Sequence, residues 1–480
     1  MDRKILRNYI YNALYQLVRI ILPFVIVPYT LSHIGTETLG IYDFAGAIMN
    51  WFILFGVLGV NTYGNRQIAK VRDDRQALSR TFFEILKMQI CNVFIGMVLF
   101  YLYILVFVHT NTFYYALTGL TMIASALDIT WFFFGVEDFK KASMRNIFVK
   151  ILGVISIFLL VHSPQDLWIY ILINVGAELV GQGIMFAQLK QYIHPVPVRL
   201  ADAYRHHFRA TFQLFIPTIA ISVYTMLDTT MVGVLYSGEA VTLYKISMNI
   251  VKMFLSLITA IGTVTLPRVT NVFYNDAKGE EKAQELVNTV MKFVNLLAWP
   301  MCFGMMAIAV NFIAWYTPEN PMIATLVTAG CPIIIFISMS TVTGIQYMVP
   351  TGMFNQYTAS VVAGSVVNFI CNIVLTPRLG ALGAIVGSLI AEATVTGLQL
   401  FLIRKKIHID FRQKSYAIYI GGSLLMYGIV RFLNLNMPAK AWASLLQVLV
   451  GMLFYFGWLR ICREPFAAAV LQKMRSRLHA

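Results

Sequence analysis

Long apolar runs recur along the whole chain and constrain its fold more than any other feature of the sequence. A helix needs about 20 apolar residues to cross the hydrocarbon core of a bilayer. Because backbone N–H and C=O groups in lipid must bond within the protein, each run is predicted to be an α-helix. The fourteen predicted spans are residues 9–34, 40–63, 82–108, 113–135, 147–161, 167–189, 212–236, 241–266, 290–316, 323–349, 357–375, 383–403, 416–433 and 441–461. The fifth run is the shortest, and spans ten to twelve are closely spaced, so twelve or thirteen spans remain compatible with the sequence.

The composition excludes a water-soluble globule. Hydrophobic residues make up 58% of the 480 positions and charged residues only 12%, against about 25% charged in soluble domains. The formal net charge is +15, but nucleic-acid binding requires basic residues clustered on one folded face. Here they lie in the segments between apolar runs. We therefore expect membrane lipids, and no nucleic acid, as partners.

Sequence motifs give no support for catalysis or for a bound cofactor. The five cysteines are far apart and form no Cys-x-x-Cys or Cys/His pattern, so neither disulfides nor a metal site are indicated. The pair His206–His207 has no metal-ligand spacing. Catalytic-triad signatures and a phosphate-binding Gly-rich loop are also missing from the sequence. The sequence thus predicts a protein that is not an enzyme and has no metal and no cofactor.

Basic residues are distributed unevenly among the loops. With the N-terminus placed in the cytoplasm, the loops on the opposite side contain only Arg378 and Lys440, and the other loop cations lie on the cytoplasmic side. Short cytoplasmic loops collect Lys and Arg. This asymmetry predicts a multi-pass membrane protein with both termini in the cytoplasm.

Weak self-similarity indicates an internal repeat. Residues 39–43 resemble 241–245, and residues 135–137 resemble 344–346, with an offset that rises along the chain. Spans one to six and seven to twelve are then two six-helix lobes in a parallel pseudo-twofold repeat, an arrangement suited to alternating access around a site near the membrane midplane. The predicted domains are residues 1–210, residues 211–405, and residues 406–480 with spans thirteen and fourteen and the tail.

Ionisable residues inside predicted spans are candidate functional residues, because a charge at mid-membrane is costly. Four cations lie near span ends, where a long side chain can reach the membrane surface, namely Lys87, Lys150, Arg431 and Arg460. The candidate cations are Arg19, Lys245 and Lys252. Arginine recognises phosphate through paired donors, and lysine does so as a point charge. One interpretation is that these three line a cavity and bind an anionic substrate group such as a diphosphate. The alternative is that they only neutralise acids in neighbouring helices.

The acids in the spans are interpreted in two ways. Candidate coupling or ion-pair residues are Asp43, Asp128 and Asp228. Glu178 and Glu392 occupy equivalent repeat positions, which favours a shared packing role over ion coupling.

Several stretches carry a family resemblance. They are residues 39–42, 58–69, 126–141, 224–228 and 380–384, together with Ala391–Glu392. On these residues the chain resembles the polysaccharide transporter family, in the superfamily that also contains multidrug and toxin extrusion carriers and peptidoglycan lipid-precursor flippases. The resemblance implies two six-helix lobes around a cationic cavity. It also implies transfer of undecaprenyl-diphosphate-linked sugar repeat units from the cytoplasmic to the outer leaflet of a bacterial inner membrane. The transferred units would serve capsule, O-antigen or exopolysaccharide assembly, with polysaccharide polymerase and glycosyltransferases as possible partners.

Two other functions stay open at the level of sequence. One is a cation-coupled multidrug exporter of the related branch, in which acidic cavity residues would dominate. The other is a non-transporting membrane protein that assembles polymerase and glycosyltransferases. Depletion that leaves lipid-linked repeat units on the cytoplasmic leaflet would separate the flippase from both.

Overall fold

The computed structural model describes residues 21–275, 279–407 and 409–468, and in these residues every regular element is helical, without a strand. Ten helical segments are long and apolar enough to cross a membrane, and shorter apolar helices lie at Ile21–Ile34 and Thr225–Leu235. The prediction of an all-α polytopic membrane protein is confirmed. The chain divides into two compact units, Met1–Thr242 and Leu243–Ala480.

The first unit contains the predicted spans one to seven. Its helices are α1 (Ile21–Ile34), α2 (Thr36–Val57), α3 (Val60–Val71), α4 (Arg75–Phe107), α5 (Thr112–Gly119), α6 (Thr121–Ala126), α7 (Thr130–Gly135), α8 (Phe139–Leu160), α9 (Leu167–Gln188), α10 (Leu200–Ala203) and α11 (Arg209–Leu235). A π-helical turn, Tyr204–Phe208, precedes α11. The fifth span, predicted as the shortest, belongs to a helix of 22 residues.

Helix α12 (Gly238–Asn275) starts in the first unit and continues into the second. The second unit contains α13 (Gly279–Tyr316), α14 (Met322–Gly330), α15 (Ile333–Ser340), a π-helical segment (Thr341–Met348), α16 (Phe354–Leu379), α17 (Ala381–Ile403), α18 (Lys414–Asn436) and α19 (Ala441–Ile461). Within the described residues, each predicted span thus corresponds to a helix or to a group of short helices, span one over its residues 21–34.

The compact units divide one helix later than the lobe boundary that the repeat predicts at residue 210. Helix α11 packs on α2, where the Trp51 indole N–H donates to the Thr230 hydroxyl at 2.8 Å. A Cβ placed on Gly233 would lie only 2.1 Å from the Phe44 ring, so the two helices approach closely here. The repeat-based division stays a prediction.

Two of the predicted spans in the first unit are interrupted. Span two breaks between α2 and α3, where Leu58 and Gly59 adopt positive φ angles of 47° and 75°. Span four breaks between α6 and α7. Beside this second break, Phe82, Trp131 and Phe132 form a fully buried aromatic cluster. The cluster fixes α7 against α4.

In the second unit, α16 and α17 form a tight helical hairpin. Gly380 turns the chain at φ 57°, and a Cβ on Gly383 would meet the Leu375 carbonyl at 2.5 Å. Helices α18 and α19, the two spans predicted outside the repeat, pack on α13. There the Asn311 amide donates to the Asn434 carbonyl at 2.6 Å, and the Tyr455 hydroxyl donates to the Leu296 carbonyl at 2.9 Å.

Candidate functional site

Two of the three predicted substrate-binding cations lie within the described residues. Arg19 lies outside the described residues. Lys245 and Lys252 lie on α12, Lys245 half-buried and Lys252 exposed. Their separation of seven residues, two helical turns, places them on one side of that helix. The side chain of Lys252 is therefore accessible at the surface of the described residues.

Asp43 connects the start of α2 to the start of α12. Its Oδ2 accepts a hydrogen bond of 2.7 Å from the Thr242 hydroxyl. Nearby, the Thr36 hydroxyl donates to Glu239 at 2.8 Å, and Gly40 lies so close to Gly238 that a Cβ would be 2.5 Å from its carbonyl carbon. Asp43 thus has a structural partner at a tight helix crossing.

Asp128 organises the break in span four. Its Oδ1 accepts from the Thr130 backbone N–H at 2.9 Å and from the Thr130 hydroxyl at 2.5 Å. These contacts satisfy groups at the beginning of α7 that have no partner within the helix. This carboxylate therefore has hydrogen-bond partners within its own stretch of chain.

The remaining acids occupy unlike surroundings. Asp228 on α11 is buried, with 6% of its surface exposed. Glu392 on α17 is also buried, whereas Glu178 on α9 is exposed. The two repeat-related glutamates therefore do not share an environment.

A cluster that the sequence did not reveal lies where the segment before α11 meets α4. The Oε2 atom of Glu84 lies 2.9 Å from Nε2 of His207 and 3.2 Å from Nδ1 of His206. Its other oxygen, Oε1, accepts from Nε of Arg80 at 2.9 Å. The Tyr63 hydroxyl lies 2.8 Å from Nδ1 of His207. We call these five residues the Glu84 cluster.

Burial within the Glu84 cluster is uneven. The side chains of Glu84 and His207 are 5% and 9% exposed, whereas His206 is 46% exposed. Burial lowers the pKa of His207 below its usual value, against the opposing effect of the Glu84 carboxylate. The three ligand atoms of Glu84, His206 and His207 all lie within 4.8 Å of one another, so they could hold a metal ion.

Other polar contacts fasten the same connecting segment to α4. The Lys87 ammonium donates to the Val198 carbonyl at 2.6 Å, and the His194 backbone N–H donates to the Ser79 hydroxyl at 3.2 Å. The Tyr204 hydroxyl donates to the Asn92 side chain. A row of polar residues along α4 thus holds the chain that leads to α11.

Sequence reasoning missed this cluster because its members are distant along the chain. Glu84 lies inside a predicted span, two residues after its start, which was a signal of a functional or paired acid. Arg80 stands four residues earlier, one helical turn away. What no local pattern could supply is the position of His206 and His207, 122 and 123 residues further on.

The fold and the charged residues in its spans define a class, the multi-pass α-helical membrane protein. The lipid II flippase MurJ, solved in an inward-closed conformation, superposes with a TM-score of 0.74, covering 95% of this chain and 98% of that chain at 15% identity. An inward-facing multidrug transporter of the MATE family matches less well, with a TM-score of 0.56, covering 82% of this chain and 93% of that chain at 13% identity. At such identities the likeness establishes the fold alone.

The sequence comparisons define the family. The family described as "Polysaccharide biosynthesis protein" matches residues 5–273, and the chain belongs to it. A protein of Escherichia coli strain K12 named "Putative O-antigen transporter" is 23% identical over 83% of this chain and 96% of its own length. A protein of the same name from Shigella dysenteriae is 21% identical over 80% of this chain and 95% of its own length. The resemblance to a polysaccharide transporter family is confirmed.

Proposed function

We propose that this protein is a flippase for lipid-linked saccharides in polysaccharide biosynthesis. The observation that supports it most is that a chain of this family has, over 95% of its length, the fold of a lipid II flippase. The relatives named as O-antigen transporters agree with this assignment. On this proposal the substrate is an undecaprenyl-diphosphate-linked oligosaccharide repeat unit, which moves from the cytoplasmic to the outer leaflet of a bacterial inner membrane by alternating access.

The chemistry of this substrate determines which kinds of residue must bind it. The prenyl chain can stay in the hydrocarbon layer, whereas the sugars and the diphosphate must be kept away from it. Phosphate charges in a medium of low dielectric constant require paired cations or water. We propose that Arg19, Lys245 and Lys252 supply such cations and contact the diphosphate in turn during the cycle. The exposure of Lys252 supports its part in this proposal.

We propose that most of the acids in the spans bond other groups of the protein and do not contact the substrate. The contacts of Asp43 with Thr242 and of Asp128 with Thr130 favour ion-pair or hydrogen-bonding roles for these two carboxylates. Asp228, buried on α11, is the acid that we propose as the candidate for ion coupling. The product on the outer leaflet then goes to a polysaccharide polymerase, for capsule, O-antigen or exopolysaccharide assembly.

Arg19→Ala tests the proposal in proteoliposomes. We expect the initial rate of flipping of a fluorescent undecaprenyl-diphosphate oligosaccharide to fall about tenfold or more, since a hydrogen bond to a charged group contributes about 1.5 to 3 kcal/mol. Lys252→Gln is expected to have a similar effect. The matched control is Lys440→Gln, a change at an exposed lysine between α18 and α19.

Depletion in cells separates the candidate functions. A flippase predicts that lipid-linked repeat units accumulate on the cytoplasmic leaflet, out of reach of a periplasmic glycosidase. Normal exposure of these lipids after depletion, with a loss of polymer only, would favour an assembly protein. Unchanged lipids with drug sensitivity would favour an exporter of small cations. Either result would contradict the flippase assignment.

A further inference from the structure

We propose that Glu84, His206 and His207 bind one transition-metal ion of the Zn²⁺ type. Two imidazole nitrogens and one carboxylate oxygen are a known ligand set for zinc in proteins. All three atoms converge within 4.8 Å of one another. The proposal is separate from transport, because these residues lie in none of the cation positions assigned to the substrate.

The spacing of the ligand atoms suits a small ion. A tetrahedral zinc site with bonds of about 2.0 to 2.1 Å has neighbouring ligands about 3.3 Å apart. The Glu84 oxygen lies 2.9 Å from the His207 nitrogen and 3.2 Å from the His206 nitrogen. These two distances are within a few tenths of an ångström of the zinc value, and the two imidazole nitrogens lie within 4.8 Å of each other. His206 is the most exposed of the three side chains, so it leaves a route for entry and room for a water as fourth ligand.

The outer contacts of the ligands support a metal site over a simple ion pair. Tyr63 contacts the nitrogen of His207 that points away from Glu84, at 2.8 Å. Arg80 bonds the Glu84 oxygen that does not face the histidines, at 2.9 Å. Metal sites commonly hold the second heteroatom of each ligand in this way, which fixes the tautomer and the orientation of the side chain. Two of the three ligands here are held so that their free atoms face a common point.

An ion bound at this site would link two helical elements. Glu84 belongs to α4, whereas His206 and His207 belong to the π-helical turn directly before α11. A bound ion would add coordinate bonds to the polar contacts that already hold this turn. Because an ion that binds only the folded protein stabilises it, occupancy should raise the thermal stability of the first unit.

Zinc titration tests the proposal directly. The full-length protein, purified in detergent with a tag free of histidine and stripped with EDTA, is titrated with Zn²⁺ in competition with a chromophoric chelator. We expect one high-affinity ion per chain and a higher melting temperature with zinc. His206→Gln removes one ligand from a largely exposed position, so the fold should be kept while the high-affinity binding is lost. The absorption spectrum of Co²⁺ substituted for zinc reports the coordination geometry.

Two variants serve as controls. His194→Gln removes an exposed imidazole from the same connecting segment, which contacts Ser79 and not Glu84, and should bind zinc as the unaltered protein does. Tyr63→Phe should weaken binding roughly 10- to 100-fold, the effect typical of an outer partner. Absence of stoichiometric binding in the unaltered protein, or equal binding in the His206→Gln variant, would overturn the proposal. In either case the cluster would be a metal-free network of hydrogen bonds.

Discussion

The fourth and tenth predicted spans correspond to each other in the sequence repeat. Both depart from regular α-helix, but their polar groups are hydrogen-bonded in different ways. In the first unit the helix stops at Ala126 and starts again at Thr130. In the second unit the chain stays helical but changes to π-helical geometry over Thr341–Met348. By the repeat offset, the break at 127–129 corresponds to 336–338, a few residues before the π-helical segment. Both spans thus depart from regular α-helix at nearby, but not equivalent, positions.

One side chain of α4, Gln89, bonds several groups at the break in the first unit. The Gln89 amide nitrogen lies 3.0, 3.1 and 2.9 Å from the carbonyl oxygens of Ser125, Ala126 and Asp128. Its carbonyl oxygen lies 3.0 Å from the Trp131 indole nitrogen, which donates to it. The Ser125 carbonyl also accepts from the Asp128 backbone N–H at 3.3 Å, and the Asp128 carbonyl also accepts from the Trp131 indole N–H at 3.0 Å. Gln89 thus adds a shared donor to carbonyls at the break, where unpaired backbone groups would be costly in a membrane.

The π-helical segment of the second unit uses contacts that are easier to replace. The Thr343 hydroxyl donates to Gln399 at 2.6 Å, and the Gln399 amide donates to the Ser360 hydroxyl at 3.1 Å. Both hydroxyls also lie within bonding distance of carbonyls in their own helices, at 3.2 Å for Thr343 and 2.7 Å for Ser360. The comparison teaches that backbone carbonyls at a helix break receive a donor from a neighbouring helix, whereas the hydroxyls at the π-helical segment can also bond within their own helices.

Replacing Gln89 should give the largest effect. We expect Gln89→Leu to lower the free energy of unfolding by about 3 kcal/mol, because it removes a buried donor shared by three carbonyls and an acceptor of the Trp131 indole N–H. The matched change Gln399→Leu should cost only about 1 kcal/mol, since the two hydroxyls keep their local bonds. Thermal unfolding of both variants in detergent measures the difference. Equal losses would show that the two irregular spans depend on their glutamines alike.

Gly135→Ala should have an intermediate effect in the first unit. Its Cβ would lie 2.6 Å from Cβ of Ile68 and 3.0 Å from the Asn65 carbonyl oxygen. Neither a branched carbon near the backbone nor the backbone itself can move easily, so we expect a loss of about 2 kcal/mol. Gly176→Ala, where no atom lies within 4 Å of the new Cβ, is the control and should be neutral. A neutral result for both variants would refute the close packing at Gly135.

Gly344→Ala, at the repeat-related position, should have the smallest effect. Its Cβ would meet the ring of Tyr357 at 2.8 Å and Nε2 of Gln399 at 2.9 Å. Both contacts are with outer atoms of side chains that can shift, so we expect a loss of about 1 kcal/mol. The same melting measurement applies, with Gly397→Ala as the open-space control. A loss as large as that of Gly135→Ala would remove the distinction between the two spans.

Helix positions were predictable because the bilayer imposes one requirement on every spanning segment. A run of about 20 apolar residues that must satisfy its own backbone has few solutions besides a helix. Boundaries were less predictable, as α8 shows. It begins at Phe139, whereas the apolar pattern starts at Ile147, because a helix can continue through charged residues beyond its apolar part.

The sequence could predict candidate site residues from their type and their apolar surroundings, but it could not predict their contacts. The sequence identified Lys245, Lys252 and Asp228 as costly charges in apolar surroundings, and the structure confirms their helical positions. It could not predict that Asp128 would contact the start of α7, since that contact exists only where the helix breaks. The long-range contacts of the Glu84 cluster could not be predicted either, because they join residues more than a hundred positions apart in the sequence.

The sequence by itself determined the helical class, the spans and their order, and the family, because hydrophobicity and local motifs are properties of short stretches of chain. Tertiary structure decided which polar groups meet. Glu84 lies more than a hundred residues from His206 and His207, and Gln89 reaches carbonyls 36 to 39 residues away. Such contacts arise from the packing of whole helices, and burial then requires that each polar group have a partner.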